Sequence, residues 1–198
     1  MAVPLPSDPA PASVEMIMRR FGNDLTPPGG GAAMRIRRLG DRFSQSVRMP
    51  PLDYADQARK WIARLLRGAN ETVLMPVYQP GLEIGNPGAP RVNGAGQLGM
   101  TLNLDGFTPG YLMREGQFFS LVVSGQRFLY SCTADTAANA SGAMALPFEP
   151  MLRRQPADND VVEVAQPMIE GFVEGRETTW TVEAAFNVGL DFKIDERE

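Results

Sequence analysis

The chain has 198 residues, with 19 Lys and Arg against 23 Asp and Glu, a formal net charge of −4 and a hydrophobic share of 43%. That length buries a sizeable core as one large domain or two small ones, and the composition is that of a folded rather than a disordered protein. It has no histidine and one cysteine, Cys132, which excludes Ser-His and Cys-His nucleophilic pairs, His-ligated metal centres, disulfide frameworks and thiolate zinc cages.

Its 20 glycines and 17 prolines are scattered along the chain, a punctuation that suits short strands joined by turns better than long helices. Charge is distributed unevenly: the first 80 residues carry 11 basic and 7 acidic side chains, the rest 8 and 16. Opposite charge in two parts of one chain favours head-to-tail contact between copies. Lys60 and Lys193 are the only lysines; the remaining cations are arginines, whose planar fork pairs with carboxylates at interfaces. The net negative charge argues against direct nucleic-acid binding. No stretch approaches the roughly 18 apolar residues of a membrane span, and the start does not read as a secretory signal. Synthesis in a cytoplasm without membrane insertion is therefore expected.

In chain order, residues 1–12 are rich in Pro and Ala and read as an extended, mobile arm. Residues 13–21 alternate as a strand with Val14, Met16 and Met18 on one face. Thr26 to Gly31 is a Pro/Gly loop. Residues 33–49 read as a β-hairpin around Leu39-Gly40-Asp41-Arg42. Its first strand sets Met34 and Ile36 against Arg35 and Arg37, and its second sets Phe43, Gln45, Val47 and Met49 against Ser44, Ser46 and Arg48. A helix is predicted over 53–67, with Asp53 as N-cap and Asp56 in the capping-box position. Tyr54, Ala58, Trp61, Ile62, Leu65 and Leu66 form its apolar stripe, opposite Gln57, Arg59, Lys60, Arg64 and Arg67, and Gly68 supplies the stop.

Beyond the helix the pattern is β. Strands are predicted over 72–78, 99–104, 118–123, 127–133, 143–148, 161–165, 167–173 and 179–186. A last strand carries Leu190, Phe192 and Ile194 on one face. Residues 81–95 read as a loop or domain boundary, and Val123-Ser124-Gly125-Gln126 as a hairpin turn. The fold class is mainly β, sandwich or barrel, with one well-defined helix.

Gly94-Ala95-Gly96-Gln97-Leu98-Gly99 spells the dinucleotide fingerprint, but that motif needs a strand before it and a helix after it. Neither is written here, so the glycines are expected to serve a tight turn and no cofactor is expected. Asp158-Asn159-Asp160 with Glu163 lacks the calcium-loop glycine and spacing and reads as a solvated acidic turn. Glu170, Glu174 and Glu177 read as an exposed cluster, and Cys132 as a packing residue inside a strand. No catalytic or metal-ligating residue is assigned.

Gly40-Asp41-Arg42-Phe43-Ser44-Gln45-Ser46-Val47, then Met49-Pro50-Pro51-Leu52 running into the Trp61 helix, resembles the opening of distal tail proteins from the tail tips of long-tailed bacteriophages. Val92 to Gly99, Leu112 to Phe119, Phe128-Leu129-Tyr130 and Gly142 to Arg153 resemble a module of related phage tail proteins. The resemblance implies a structural virion component at the tail tip. Its copies would form a ring, typically a hexamer, joining the tail tube protein to the tip hub and fibre proteins. It also implies a split β-rich domain of residues 13–80 and 166–198, with residues 81–165 as an inserted small β-barrel. Within such a ring, Arg35, Arg37, Arg59, Lys60 and Arg64 are the expected contacts to acidic residues of the next copy. Two alternatives are a module gripping host-surface glycan or a fibre through Tyr111, Phe118 or Tyr130, and a cell-wall hydrolase.

Overall fold

The computed structural model describes residues 2–36, 38–175, 178–182 and 187–197. Strand accounts for 45% and helix for 8%, which makes the chain mainly β with a single helix. The strands are β1 (Val3–Pro4), β2 (Ser13–Arg19), β3 (Asn23–Leu25), β4 (Met34–Ile36), β5 (Arg42–Arg48), β6 (Leu52–Asp53), β7 (Val73–Pro76), β8 (Gly88–Val92) and β9 (Thr101–Phe107). They continue with β10 (Leu112–Met113), β11 (Phe118–Val123), β12 (Gln126–Cys132), β13 (Thr136–Ala137), β14 (Met144–Glu149), β15 (Val162–Glu163), β16 (Met168–Val173), β17 (Trp180–Val182) and β18 (Asn187–Glu196).

One sheet runs β1-β7-β16-β18-β5-β2, with β6 and β17 on the far end of β18. It draws its strands from both ends of the chain. Phe43, Val47, Trp61, Leu65, Met75, Ile169, Leu190 and Ile194 fill the core beneath it. The period-two alternation of β18 holds in full: Val188, Leu190, Phe192 and Ile194 are all buried. A second sheet runs β15-β11-β12-β14-β9-β8, and the bridge between Arg91 and Val161 brings its two edges together into a nearly closed barrel. Phe119, Tyr130, Phe148, Leu104 and Leu146 fill its interior. Ser124 and Gly125, both at positive φ, make the two-residue turn between β11 and β12.

The helix follows the predicted stripe in part. A π-turn over Tyr54–Ala58 leads into α1 (Arg59–Gly68). Asp53 caps it by accepting from the Ala55 amide at 2.8 Å, whereas Asp56 pairs forward with Lys60 at 2.9 Å instead of closing a capping box. Ala58, Trp61, Ile62 and Leu65 are buried, but Tyr54 and Leu66 face solvent. Gly68 is not a left-handed stop. It is the last helical residue, and a Cβ there would lie 2.4 Å from Val73 Cγ1, so the glycine lets the helix end close onto β7.

Three further expectations are corrected. Residues 2–12 are extended but not free: Val3 and Pro4 pair in parallel with β7, Val3 and Leu5 are buried, and the Trp61 indole donates to the Asp8 carbonyl at 3.3 Å. Residues 88–92, read as loop, form β8, whose pairing with β9 shifts register between Gly88 and Arg91. The 33–49 hairpin does not exist, because its two strands have other partners. β5 pairs with β2 from Ser13 opposite Arg48 to Arg19 opposite Arg42, and β4 pairs with β3 from Asn23 opposite Ile36 to Leu25 opposite Met34. The Pro/Gly run is therefore the tip of one long hairpin, and Leu39 to Asp41 lies at an interruption midway along it.

Candidate functional site

Beyond the interruption the hairpin leaves the sheet as a two-stranded arm of β3 and β4. No other strand of the described residues pairs with either. Its root is fastened: the Phe21 amide donates to Asp41 Oδ1 at 2.7 Å, and the Arg42 guanidinium lies 4.8 Å over the Phe21 ring. Along the arm Arg35 grips Asp24 with two hydrogen bonds of 2.8 and 2.9 Å. These bonds hold the Asp24 carboxyl below its ordinary pKa. Apolar side chains on the arm remain in water: Phe21 is 42% exposed, Leu25 54%, Met34 66%, Ile36 40% and Leu39 58%. A two-stranded ribbon is marginal alone, and clustered exposed apolar side chains mark interaction surfaces.

Between the arm and the body lies a cleft of about 390 Å³. Met18, Ile36, Met100, Pro150 and Met151 supply its apolar walls, while Arg20, Arg35 and Arg38 face Asp24, Asp41 and Glu149 in a balanced charged lining. One wall belongs to the sheet and arm, the other to the barrel segment 149–151. The flexible thioethers of three methionines suit a surface that repacks against another chain.

The expected contact residues fall into two groups. Arg35 is on the arm; Arg59, Lys60 and Arg64 share the helix; Arg37 lies outside the described residues. Each described one also holds something within the chain. Arg64 donates to the Pro4 carbonyl at 2.6 Å, Arg59 to the Ala55 carbonyl, and Lys60 pairs with Asp56. Their side chains thus brace the N-terminal segment and the helix start as well as facing water.

The aromatic platform expected at Tyr111, Phe118 and Tyr130 is not assembled. Tyr130 is fully buried, Phe118 packs edge-on against Phe43 with ring centroids 5.4 Å apart, and Tyr111 stacks on Phe107. The G-x-G-x-x-G segment is a turn between β8 and β9 in which Gly94, Gly96 and Gly99 all have positive φ. Gln97 stitches it, donating to the carbonyls of Asn93, Gly94 and Asn103 and accepting from the Asn103 amide at 2.7 Å. The turn at Asp158 and Asp160 is likewise structural: its carboxylates accept the Gly94 and Ala157 amides. Cys132 is buried, its thiol donates to the Ala134 carbonyl, and burial pushes its pKa up. Among the described residues no group of three or more Cys, Asp and Glu side chains is placed to hold a metal ion, and no helix is long and apolar enough to cross a membrane.

Sequence reasoning missed two buried carboxylates. Glu170, read as exposed, is buried and accepts from the Arg127 amide at 3.0 Å and the Thr72 hydroxyl at 3.3 Å. Glu196 is also buried and accepts from the amides of Phe43 and Leu129 and from the Arg153 guanidinium. Glu174 is on the surface as expected, paired with Lys193 and Arg19, and Glu177 lies outside the described residues. No pattern of residue types marks a carboxylate whose partners are backbone amides, so no signal was available. Comparison with protein-family models and with curated proteins returns no match.

Proposed function

We propose that this chain is a structural component of a phage tail tip, a distal tail protein whose copies form a ring between the tail tube and the tip hub with its fibres. The observation that supports this reading best is the arm. Two filled cores account for the folded body, yet the hairpin carries five exposed apolar side chains and unpaired edges away from it. A second copy satisfies such an element, and heterologous contact repeated around an axis closes a ring. The described arm carries Arg20, Arg35 and Arg38 against Asp24 and Asp41, and residues 81–165 carry eight acidic side chains against five arginines, so a small opposite balance favours contact between arm and barrel of successive copies. The reading assigns no catalytic role, cofactor or membrane contact, and places the protein in the virion after synthesis in the host cytoplasm.

Negative-stain imaging of the purified protein, alone and mixed with tail tube protein, tests it. Rings with a central hole are expected, six-fold in the simplest case. Charge reversal at Arg35, Arg59, Lys60 and Arg64 abolishes them. Rings that survive reversal overturn the residue assignment, and particles of one chain in both samples overturn the ring.

A binding-module reading is favoured by one different observation. Trp180, 39% exposed, lines a cleft of about 430 Å³ with Arg48, Asn187 and Asp191, an aromatic face beside planar polar groups. Saturable oligosaccharide quenching of wild-type fluorescence, lost in Trp180→Ala, supports that reading; no quenching removes it.

A further inference from the structure

Strand β12 belongs to the barrel, but only Ser131 and Cys132 of it pair with β14. On the other side it is paired with β11 from Gln126 to Ser131, all but its last residue. The amides of Arg127 and Leu129 therefore point away from β11, and among the described residues no strand pairs with them on that side. Each meets a carboxylate carried by the other sheet: Glu170 of β16 takes the Arg127 amide at 3.0 Å, and Glu196 of β18 takes the Leu129 amide at 2.6 Å. Glu196 also takes the Phe43 amide of β5 at 3.0 Å, just past the last β18–β5 pair, Asp195 opposite Ser44, while its own backbone stays paired with Gly171 of β16. Arg153, whose guanidinium lies 5.0 Å over the Phe128 ring, closes the arrangement by donating to Glu196.

We infer that Glu170, Glu196 and Arg153 form a latch that holds the barrel in one orientation on the eight-stranded sheet, the carboxylates standing in for the missing neighbour of β12. The two bodies have separate cores, and Leu129 is the barrel residue buried in the sheet's core. Phe118 of β11 packs on the same core, edge-on against Phe43, so the apolar contact at the junction rests on these two barrel side chains. Orientation falls to the polar contacts, which are directional in a way that apolar contact is not. Glu196 and Arg153 are almost wholly buried, with side chains 0% and 5% exposed. Among the described residues Arg153 Nε and Nη1 have no hydrogen-bond partner and Glu196 is its ion-pair partner, so losing Glu196 leaves a buried cation unpaired, a strongly unfavourable state. Two further polar contacts, the Phe118 amide on Gln79 at 2.7 Å and the Met168 amide on Ser120 at 3.1 Å, join the bodies, but the latch is the one that contains a buried ion pair. It stands independently of the tail-tip reading, since it concerns one chain.

Amide hydrogen exchange on the full chain tests it, comparing wild type with Glu196→Ala and Glu196→Gln. In wild type the Leu129, Arg127 and Phe43 amides exchange as slowly as those inside β11 and β18. In Glu196→Ala the Leu129 and Phe43 amides exchange at least tenfold faster, while Phe119 and Leu121 in the barrel and Met75 and Ile169 in the sheet keep their protection. Glu196→Gln, which retains an acceptor oxygen, falls between the two. Fast exchange of Leu129 in wild type overturns the latch. So does unchanged exchange in Glu196→Ala, or equal loss of protection throughout both cores in Glu196→Gln.

Discussion

The barrel and the arm handle the same difficulty in opposite ways. Every sheet edge exposes backbone donors and acceptors that another strand can capture. The barrel covers its two outer edges by bending β8 round to β15, with the Val92 amide donating to the Asp160 carbonyl and the Asn159 amide donating to the Val92 carbonyl across the seam, and the open stretch of β12 is met by Glu170 and Glu196. The arm keeps both edges open and adds exposed apolar side chains to them. On the proposed reading, the ribbon left unfinished is the part kept for contact with another copy. The body should then respond to mutation through stability, and the arm through assembly.

The largest expected effect lies in the body. Trp61→Ala empties a fully buried site beside Phe192 and removes the indole bond to Asp8. A loss of about 3–5 kcal/mol is expected, read from the denaturant midpoint. Gly68→Ala comes next. It puts a methyl against Val73, and about 1–3 kcal/mol of crowding outweighs the roughly 1 kcal/mol gained in helix propensity. A stabilised variant would show that the helix end is free to shift.

Cys132 gives the pH-dependent test. Burial raises its pKa in the folded chain, so on alkalinisation the unfolded chain loses the thiol proton first. Stability then falls as pH rises past the unfolded value of about 8.5, by at most about 1.4 kcal/mol per pH unit, and levels off beyond the raised folded value. Cys132→Ala should remove that slope between pH 8 and 10. The same slope in both proteins would assign it to other groups.

The arm should show the smallest effect on stability. Leu25→Ser with Met34→Ser changes two exposed side chains and should shift unfolding by less than about 0.5 kcal/mol. A loss of several kcal/mol would mean that the arm is packed in the monomer and would erase the contrast.

Much of this architecture is legible in the sequence. Alternation locates β2, β5, β11, β12, β16 and β18, and the turn chemistry of Ser124-Gly125 fixes the β11–β12 hairpin. Pairing is less legible, because alternation says which residues share a face but not which strand lies alongside. The arm was missed for that reason. Residues 33–37 and 43–49 are neighbours in the chain, and the short Gly40-Asp41 turn offers itself before the Pro/Gly run does. The near mirror symmetry of strand-like residues about that run, 13–25 before and 34–48 after, is the signal that identifies the longer hairpin. The latch was not legible at all. Glu196 sits between Asp195 and Arg197, which suggests solvent, Glu170 is a single acid within an apolar strand, and only the end of β14 on β12 leaves amides whose bonds they accept.

The measurement that bears most directly on the arm is sedimentation equilibrium of the wild type and the Leu25→Ser, Met34→Ser variant over the same concentration range. A wild-type mass that climbs to a defined multiple of one chain, with the variant staying at a single chain, is the predicted result. Identical masses for the two proteins at every concentration would contradict the account.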